Sequence, residues 1–313
     1  MNKRVYGVLG ISSIMANWNA DFSGYPKTTS DGETFGSDKA LKYPMKKMWD
    51  DEGKKVLYIK SMCIPKENKK GEITLIPRTL KERYESLFGV EDLKECKDIR
   101  EVLTNLMSAV DVKNFGATFA ESGNNISITG AVQIGQGFNK YKDTNPEEQQ
   151  ILSPFRDAKD AGGDAKNSTL GTKIVSNEAH YFYPFVINPM AYKEWVELGV
   201  TEGYTEEDYQ NFRRTSLVMA TSFATNSKIG CENEFALFVE TKPDAYLPNL
   251  SEYIGFAKEN TKNIIELQCR NLLDELGQAV EQVDIYYNPH TTELRGVPEH
   301  AQVYDIRTQK EVH

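Results

Sequence analysis

One apolar stretch near the start of the chain limits the possible folds more than any other feature. Val5–Ile14 reads VYGVLGISSI and scarcely alternates between apolar and polar residues. A run of this length and composition is typical of a buried β-strand. Two basic residues precede it, as in a secretory signal peptide, but no small-residue cleavage site follows it. The stretch is therefore predicted to be the first strand of a sheet.

Strands and helices are predicted in mixed order along the rest of the chain, which favours an α+β fold built on a sheet with insertions. The 313 residues suffice for two domains or for one large domain with long insertions. No stretch approaches the ~18 consecutive apolar residues of a membrane span. Neither G-x-G-x-x-G nor G-x-x-x-x-G-K-[ST] follows a predicted strand, which argues against dinucleotide and P-loop nucleotide binding.

The first helix is predicted to begin directly after a long loop that contains amides and aromatic residues. Ser37 is placed to cap it, because a serine hydroxyl can accept a hydrogen bond from a free backbone N–H at a helix start. Apolar residues recur on one face, and Lys39, Lys42 and Lys46 recur at i, i+3 and i+7 on another. Pro44 is expected to kink this helix or split it in two, because proline donates no backbone hydrogen bond.

Further strands are predicted in the first half of the chain. Lys55–Pro65 resembles one strand, and Asp111–Ala120 and Asn125–Ile134 are rich in β-branched residues and punctuated by glycine. The turn-forming residues Glu121–Asn124 predict that the last two are paired. Residues 136–172 are polar and glycine-containing, which predicts an excursion from the core with a mobile tip.

Charge is distributed unevenly along the chain. The formal net charge of −9, taken alone, argues against a nucleic-acid-binding protein. Residues 37–83, however, contain 13 Lys+Arg and 7 Asp+Glu, a balance of +6, so that the remainder contains 24 and 39, a balance of −15. Electrostatic attraction decays over a Debye length of ~8 Å, so a local basic patch matters more than the sum.

Sequence signals for catalysis or metal binding are weak. Neither G-x-S-x-G nor H-E-x-x-H occurs. His180 lies in an aromatic strand and is expected to be a satisfied core or interface histidine, and the acidic segment Glu194–Asp208 is expected to be a solvated face. The four cysteines are far apart and form no C-x-x-C pair, which predicts reduced thiols in the cytoplasm and no structural zinc.

A surface for single-stranded nucleic acid has stronger support. The lysines of the first helix share one face, and Lys27 lies beside Pro26 in the aromatic loop before that helix. A glycine-rich hairpin, predicted over Ile128–Gly137, would offer backbone amides and Gln133. Cations suit phosphates, aromatic rings suit bases, and amides suit sugars or backbone. A lysine stripe alone is more often an ordinary solvated face, so the prediction depends on this combination.

Several segments together resemble a known protein family. Asp111–Gly137 (DVKNFGATFA…NNISITGAVQIGQG) is similar to the family-seven CRISPR-associated proteins of the RAMP superfamily, which form the backbone of Cascade-type surveillance complexes. Asn17–Thr28 (NWNADFSGYPKT) resembles the pattern N-x-N-x-D…G-x-P-[RK]-T of the same family. An insert ending in Leu170–Lys173 (LGTK), followed by an aromatic strand, lies in the expected place. The resemblance covers about residues 4–190 and is strongest to subtype I-B.

This resemblance implies a single RRM-like (ferredoxin-like) antiparallel palm over residues 1–313, with a finger-like insertion at about 56–110 and a flexible, thumb-like insertion at about 136–172. Copies would stack head to tail along one guide RNA (crRNA), without catalysis and without a cofactor or metal. The implied partners are guide RNA, further copies of the chain, other Cascade subunits and, through the guide, target DNA. The implied location is the cytoplasm, away from membranes.

The resemblance also indicates which residues would contact the RNA. Because guide sequences vary, the protein should bind phosphate and sugar and leave base edges free to pair. The expected RNA-binding residues are Lys27, Lys39, Lys42, Lys46, Gln133 and Lys173. The expected thumb residues are Phe155, Arg156, Gly162 and Gly163.

Two other functions stay open at this stage. Relatives with RRM-like folds cut guide precursors or target RNA, and Asp21 or Asp31 would then be the acidic residue beside the cut phosphate. A structural or capsid-like protein that binds no nucleic acid is the other alternative.

Overall fold

The fold is organised around one long strand, β1 (Arg4–Ala16), in which every residue from Val5 to Ser13 is buried. This confirms the strand predicted from the apolar stretch. The computed structural model describes residues 1–64, 73–152 and 170–312.

Further strands follow along the chain, and most of them join β1 in one sheet. They are β2 (Phe35–Gly36), β3 (Met62–Cys63), β4 (Ile76–Pro77), β5 (Gly116–Phe119), β6 (Ile126–Thr129), β7 (Val132–Ile134), β8 (Gly137–Asn139), β9 (Pro146–Leu152), β10 (Leu170–Ile187), β11 (Cys231–Thr241), β12 (Ile254–Glu259), β13 (Lys262–Leu267), β14 (Val280–Tyr287), β15 (Thr292–Arg295) and β16 (Gln302–Asp305).

The described parts of the chain also contain α-helices, of which α1 and α6 are the longest. They are α1 (Asp38–Asp51), α2 (Leu80–Phe88), α3 (Ile99–Ser108), α4 (Val110–Phe115), α5 (Lys193–Glu197), α6 (Glu206–Ser222) and α7 (Arg270–Leu276). Helix α6 begins at a capping box formed by Thr205 and Asp208.

The main sheet has nine strands in the order β16-β14-β11-β1-β10-β8-β2, and β7 and β9 also pair with β10. β1 is antiparallel to both of its neighbours: Leu9 lies opposite Tyr183 of β10 and Ala236 of β11. β10 and β11 therefore run parallel to each other on either side of β1, and the chain passes between them through α6.

Both faces of the sheet are covered, which explains why β1 does not alternate. On one face, Val5 and Leu9 share a core with Leu41 and Trp49 of α1 and Phe212 of α6. On the other face, Tyr6 and Val8 pack in a second core with residues of β12, β13 and α7. Helices packed on a sheet confirm the α+β class.

Helix α1 begins where the sequence predicts and is not interrupted at Pro44. The Ser37 hydroxyl accepts a hydrogen bond from the Ala40 N–H at 3.3 Å. The predicted split at Pro44 is wrong. A proline inside a helix costs about 3 kcal/mol, through the lost hydrogen bond and the clash of its ring with the preceding turn. Burial of Leu41, Met45 and Trp49, at about 1.5–3 kcal/mol each, exceeds that cost and keeps the helix whole.

The predicted strand Lys55–Pro65 is wrong over most of its length. Within its described part, Lys55–Ile64, only Met62–Cys63 is strand, and it pairs with Ile76–Pro77. Upstream, the backbone N–H groups of Leu57 and Tyr58 donate instead to the carboxylate of Asp111, each at 2.8 Å. A side chain thus replaces the neighbouring strand as hydrogen-bond partner for this segment.

The region around Asp111–Ala120 and Asn125–Ile134 is partly as predicted. β5 and β6 pair as expected, with Gly116 opposite Thr129 and Phe119 opposite Ile126. The first half of Asp111–Ala120 is the helix α4 and not strand. The predicted hairpin over Ile128–Gly137 is also wrong, because β7 and β8 both pair with β10 and not with each other.

Candidate nucleic-acid interface

The three lysines of α1 lie on the side of the helix that faces away from the sheet. Leu41, Met45 and Trp49 are buried in the core, so Lys39, Lys42 and Lys46 are turned outward. Lys39 is exposed, and the other two are half-buried. The shared face predicted from their spacing is confirmed.

Phe115, at the end of α4, provides an aromatic surface beneath two of these lysines. The Lys42 and Lys46 ammonium nitrogens lie 5.1 and 5.9 Å from its ring centroid, within the range of cation–π attraction. On its other side, Phe115 packs against Trp49 with ring centroids 5.7 Å apart. The buried tryptophan therefore fixes the ring that positions the two cations.

Lys46 is the most constrained of the three lysines. Its ammonium nitrogen lies 3.7 Å from the fully buried carboxylate of Asp111 and 5.6 Å from the centroid of the Tyr58 ring. Burial lowers the pKa of Lys46, and attraction to Asp111 only partly opposes this effect. Only 16% of the Lys46 side chain is exposed, so this lysine packs against the segment around Tyr58 and also contributes to the surface.

Lys42 pairs with a carboxylate of its own helix, whereas Lys39 and Lys27 do not pair with any carboxylate of the described residues. Lys42 donates to Asp38 at 2.8 Å. Lys27 lies above the Phe35 ring, 5.7 Å from its centroid. Lys27 and Lys39 therefore have charge available for an external anion.

The loop before α1 is attached to the start of the helix and extends the aromatic surface. The Ser37 N–H donates to Asn19 Oδ1 at 2.7 Å. Phe35 packs against Phe138, with ring centroids 6.1 Å apart, because β2 pairs with β8. Phe138 is partly exposed.

We call these two groups of contacts, together with Lys39, the lysine track. One group is Lys27 over Phe35, in the loop that is hydrogen-bonded to the start of α1, and the other is Lys42 and Lys46 over Phe115 and Tyr58. Phe35 pairs with Phe138 on the β12 side of the sheet edge, whereas α1 packs on the other side. Its members are Lys27, Phe35, Lys39, Lys42, Phe115, Lys46 and Tyr58.

Gln133 lies close to one end of the lysine track but is not part of it. It is exposed on β7, and its amide donates to the Gly130 carbonyl at 2.8 Å. Gly130 in turn approaches Phe115 so closely that an added Cβ would lie 2.2 Å from the Phe115 carbonyl carbon. Only glycine fits at this position, and it holds Gln133 near the track.

Lys173 is placed elsewhere, on the ribbon formed by β9 and β10. Its ammonium group donates to Asn226 Oδ1 at 3.4 Å. The next residue, Ile174, accepts a hydrogen bond from the Asn17 amide at 3.1 Å, so Lys173 lies beside the loop that contains Lys27. No contact in the described chain joins Lys173 to the lysines of α1.

Lys228 is a lysine that the sequence analysis missed. Its ammonium group donates to the backbone carbonyls of Asn17, at 2.7 Å, and Trp18. Burial lowers the pKa of Lys228. The lysine fixes the start of the loop that contains Lys27, but it follows that loop by some 200 residues, and no local motif marks it.

The expected thumb residues Phe155, Arg156, Gly162 and Gly163 lie outside the described residues, so their predicted role is untested. β9, which precedes them in the chain, has all seven of its residues exposed.

The two aspartates of the nuclease alternative lie in separate turns. Asp21 Oδ1 accepts hydrogen bonds from the Ser23 and Tyr25 N–H groups. Asp31 is exposed in the turn between Thr29 and Glu33. Within residues 1–64, 73–152 and 170–312, no group of three metal-ligating side chains is assembled.

His180 is a buried, fully partnered histidine, as predicted. Its Nδ1 lies 2.8 Å from Glu234 and its Nε2 lies 3.0 Å from Glu178. Burial alone would lower the pKa of His180, but the two carboxylates, Glu234 first, raise it above the ordinary value. Its ring stacks on Phe256 with centroids 4.1 Å apart.

The acidic segment Glu194–Asp208 is less uniform than predicted. Lys113 pairs with both Glu202, at 2.5 Å, and Asp208, at 3.0 Å. Asp208 also caps α6. Part of this segment is therefore used inside the fold and is not a freely solvated face.

None of the helices in the described residues has both the length and the apolar character needed to cross a bilayer.

Comparison with known proteins gives a family and a fold. The family model for CRISPR-associated protein Cas7 matches residues 3–272. A solved chain of a "CRISPR RNA-guided surveillance complex, pre-nicking" has a TM-score of 0.55 at 14% identity, with 96% of each chain covered. A chain of a "CRISPR RNA-guided surveillance complex" has a TM-score of 0.51 at 14% identity, covering 96% of this chain and 94% of that one. At such identity the two structures establish likeness of fold only. No curated protein matches the chain.

Proposed function

The chain belongs to the Cas7 family of CRISPR-associated proteins, and on that premise we propose that it is a guide-RNA-binding backbone subunit of a Cascade-type surveillance complex. In this proposal it acts without catalysis, in the cytoplasm, alongside further copies of itself and other subunits. The guide that it holds would pair with target DNA. The assignment to subtype I-B stays a prediction.

The lysine track is the observation that carries this proposal. It places cations over aromatic rings around the start of α1, in a chain whose net charge is −9. Cations spaced along a groove bind a polynucleotide through its phosphates, and rings beneath them support sugars and bases. Such contacts do not read base edges, as a subunit that must accept any guide sequence requires.

The lysines of the track contribute unequally in this proposal. Lys27 and Lys39 are the principal phosphate contacts, because neither is neutralised within the described chain. Lys42 shares its charge with Asp38, and Lys46 with Asp111. Gln133 and Lys173 would contact the RNA from beside the track and from the β9–β10 ribbon.

The strand order supports an RRM-like palm. β1 lies between β10 and β11, α6 connects these two strands, and β7 and β8 lie outside β10. This is the order expected of a ferredoxin-like β-α-β-β-α-β unit, with α1 and α6 as its helices. In this proposal the finger is the insertion at about 56–110, and the thumb is the insertion at about 136–172, based on β9 and β10.

Several copies would stack head to tail on one RNA. A contact between two different patches does not close on itself and so generates a filament. Each added copy binds an RNA that already holds its neighbour, which turns weak single sites into a tight assembly. One candidate contact is the acidic group Glu206, Glu207 and Asp208 of one copy against the basic region of the next, although Asp208 is already paired with Lys113.

Mass measurements on the purified protein with RNA test this function. With single-stranded RNA of increasing length, we expect a ladder of complexes in which each added copy requires a fixed increment of nucleotides. Incubation with Mg²⁺ should leave the RNA intact. Cleavage that is lost in Asp21→Ala or Asp31→Ala would instead establish the nuclease, and absence of any RNA binding would favour a purely structural protein.

A further inference from the structure

A short turn in the loop before α1 holds one phenylalanine in solvent. Asp21 Oδ1 accepts from the Ser23 N–H at 2.8 Å and the Tyr25 N–H at 3.0 Å, and the Asp21 N–H donates to the Tyr25 carbonyl at 2.8 Å. Gly24, with φ of +89°, completes the turn. Phe22 at its tip has a relative exposure of 113%. We call Asp21–Tyr25 the Phe22 turn.

The order of this turn separates Phe22 from an ordinary exposed apolar residue. Single apolar side chains on a surface need no explanation by themselves. Here, however, three hydrogen bonds and a bridge between Ala20 and Pro26 fix the backbone, so the turn presents Phe22 at its tip with the ring in solvent. A fixed, projecting aromatic ring is a typical anchor for a pocket on a partner.

An apolar groove of about 380 Å³ lies on the sheet near the other end of β1. We call it the Pro184 groove. Its lining is mostly apolar and includes Tyr6, Ile134, Pro184, Val186, Leu247 and Leu250, together with Gln133. Gly135 keeps it open, because a Cβ at that position would lie 2.8 Å from the Pro184 side chain. The groove is therefore large and apolar enough to receive one aromatic side chain.

The Phe22 turn cannot reach the Pro184 groove of its own chain. Gly7 lines the groove, whereas the turn follows Ala16 at the opposite end of β1. Nine residues of strand, at ~3.3 Å each, separate the two sites by about 30 Å. The ring of one copy can thus enter only the groove of another copy. Because the two surfaces differ and lie at opposite ends of one strand, the contact is head-to-tail.

The charges around the two surfaces are complementary. Carboxylates surround the turn: Asp21 is part of it, and the Tyr25 hydroxyl donates to Glu148. At the groove, Arg4 lies two residues from Tyr6 on the same face of β1 and stacks on Tyr246, 5.1 Å from the ring centroid. Arg4 forms no ion pair with a carboxylate of the described residues. The same carboxylates oppose an RNA strand at Phe22, because they would repel its phosphates.

We propose that Phe22 of one copy inserts into the Pro184 groove of the next copy and sets the direction of stacking. This inference rests on the proposed function, since it names the contact between neighbouring copies on the RNA. It assigns to the loop two roles on its two sides: Lys27 faces the RNA, and Phe22 faces the neighbouring subunit.

Two single variants and their mixture test the contact. Phe22→Asp removes the ring, and Leu247→Asp places a charge in the lining of the groove, at a half-buried residue. Each variant alone should bind its neighbour at least tenfold more weakly, measured by sedimentation at high protein concentration and by cooperativity on long RNA. Mixed together, they should form dimers, because the Phe22 ring of the groove variant still fits the intact groove of the turn variant.

Controls separate the possible outcomes. Leu198→Asp, at an exposed leucine that belongs neither to the turn nor to the lining of the groove, should associate like the wild type, and thermal melts should show all variants folded. Wild-type association by Phe22→Asp, or no dimer in the mixture, would overturn the contact. Weaker binding of Phe22→Ser, which removes the ring without adding a charge, to RNA short enough for one copy would also overturn it, since the ring would then stack on a base. If the wild type associates through Phe22 but binds no RNA, the contact would stand and the proposed function would be rejected.

Discussion

The two faces of the central sheet use charge in opposite ways. On the face of β12, His180 is buried between Glu178 and Glu234, and Lys258 completes the cluster by pairing with Glu178 at 2.6 Å. On the helix face, Lys39 is exposed and unpaired within the described residues. Charges whose partners lie inside the fold stabilise it, whereas charges without internal partners are available to a ligand. The comparison predicts that stability and RNA affinity depend on separate residues.

Replacing His180 with alanine tests the stability half of this comparison. It should lower the free energy of unfolding more than any of the other substitutions below. Glu178 and Glu234 would remain close together without their shared cation, and a cavity would open beneath Phe256. Loss of one member of a buried ion pair costs about 3–5 kcal/mol. Urea denaturation should report a loss of that size, while the folded variant should bind RNA as the wild type does. Reduced RNA affinity in the folded variant would contradict the separation.

A comparison of Lys39→Ala with Lys46→Ala should separate residues that bind RNA from residues that stabilise the fold within one helix, α1. Lys39→Ala should weaken RNA binding about tenfold, the effect of losing about 1.4 kcal/mol of charge-assisted contact, and leave stability unchanged. Lys46→Ala leaves the buried Asp111 without its cation and should lower the free energy of unfolding by about 1–3 kcal/mol. Binding isotherms and denaturation of both variants measure this, and a reversed assignment would contradict it.

The stability contributed by His180 should depend on pH. Its pKa is raised in the folded state, so the contribution is fully present below the unfolded value of about 6.5 and is lost as pH rises through the folded value. The gap in unfolding free energy between the wild type and His180→Ala should therefore narrow above pH 6.5. His300→Ala, at an exposed histidine, serves as the control, and a gap that widens with pH would reject this account.

Lys47→Ala should give the smallest effect. Lys47 adjoins Lys46 in α1 but pairs with the exposed Asp51 one helical turn later. Exposed pairs of this kind contribute about 0–1 kcal/mol. Both the unfolding free energy and the RNA affinity should stay close to those of the wild type. A large loss of RNA affinity would mean that RNA also contacts the face of α1 that carries Lys47.

The sequence was sufficient to predict the elements whose stability is local. An apolar run defined β1, and the cap at Ser37 with a periodic apolar face defined the start and lysine face of α1. These signals are reliable because the N-cap hydrogen bond and the apolar pattern each involve residues that are close in sequence.

Contacts between distant segments could not be predicted in this way. Asp111 binds the backbone around Tyr58, which removes a predicted strand and neutralises Lys46. The Phe115 ring was assigned to a strand, because its β-branched and glycine-rich surroundings hide a helical turn that tertiary contacts stabilise. Lys228 closes a loop that precedes it by some 200 residues. Each case is a long-range pairing with no periodic sequence signal.

The salt dependence of RNA binding tests most directly whether the lysine track holds the sugar-phosphate backbone. The measurement compares the wild type with a variant in which Lys27, Lys39 and Lys42 are alanine, using several unrelated single-stranded RNA sequences. A variant in which the exposed Lys94, Lys97 and Lys310 are alanine provides the control. On single strands each phosphate contact contributes about 0.7 to the slope of log K against log salt, so the slope should fall by about 1.4 for Lys27 and Lys39, and by at most about 2 with Lys42, for every sequence alike. An unchanged slope, or a loss confined to one sequence, would contradict the account.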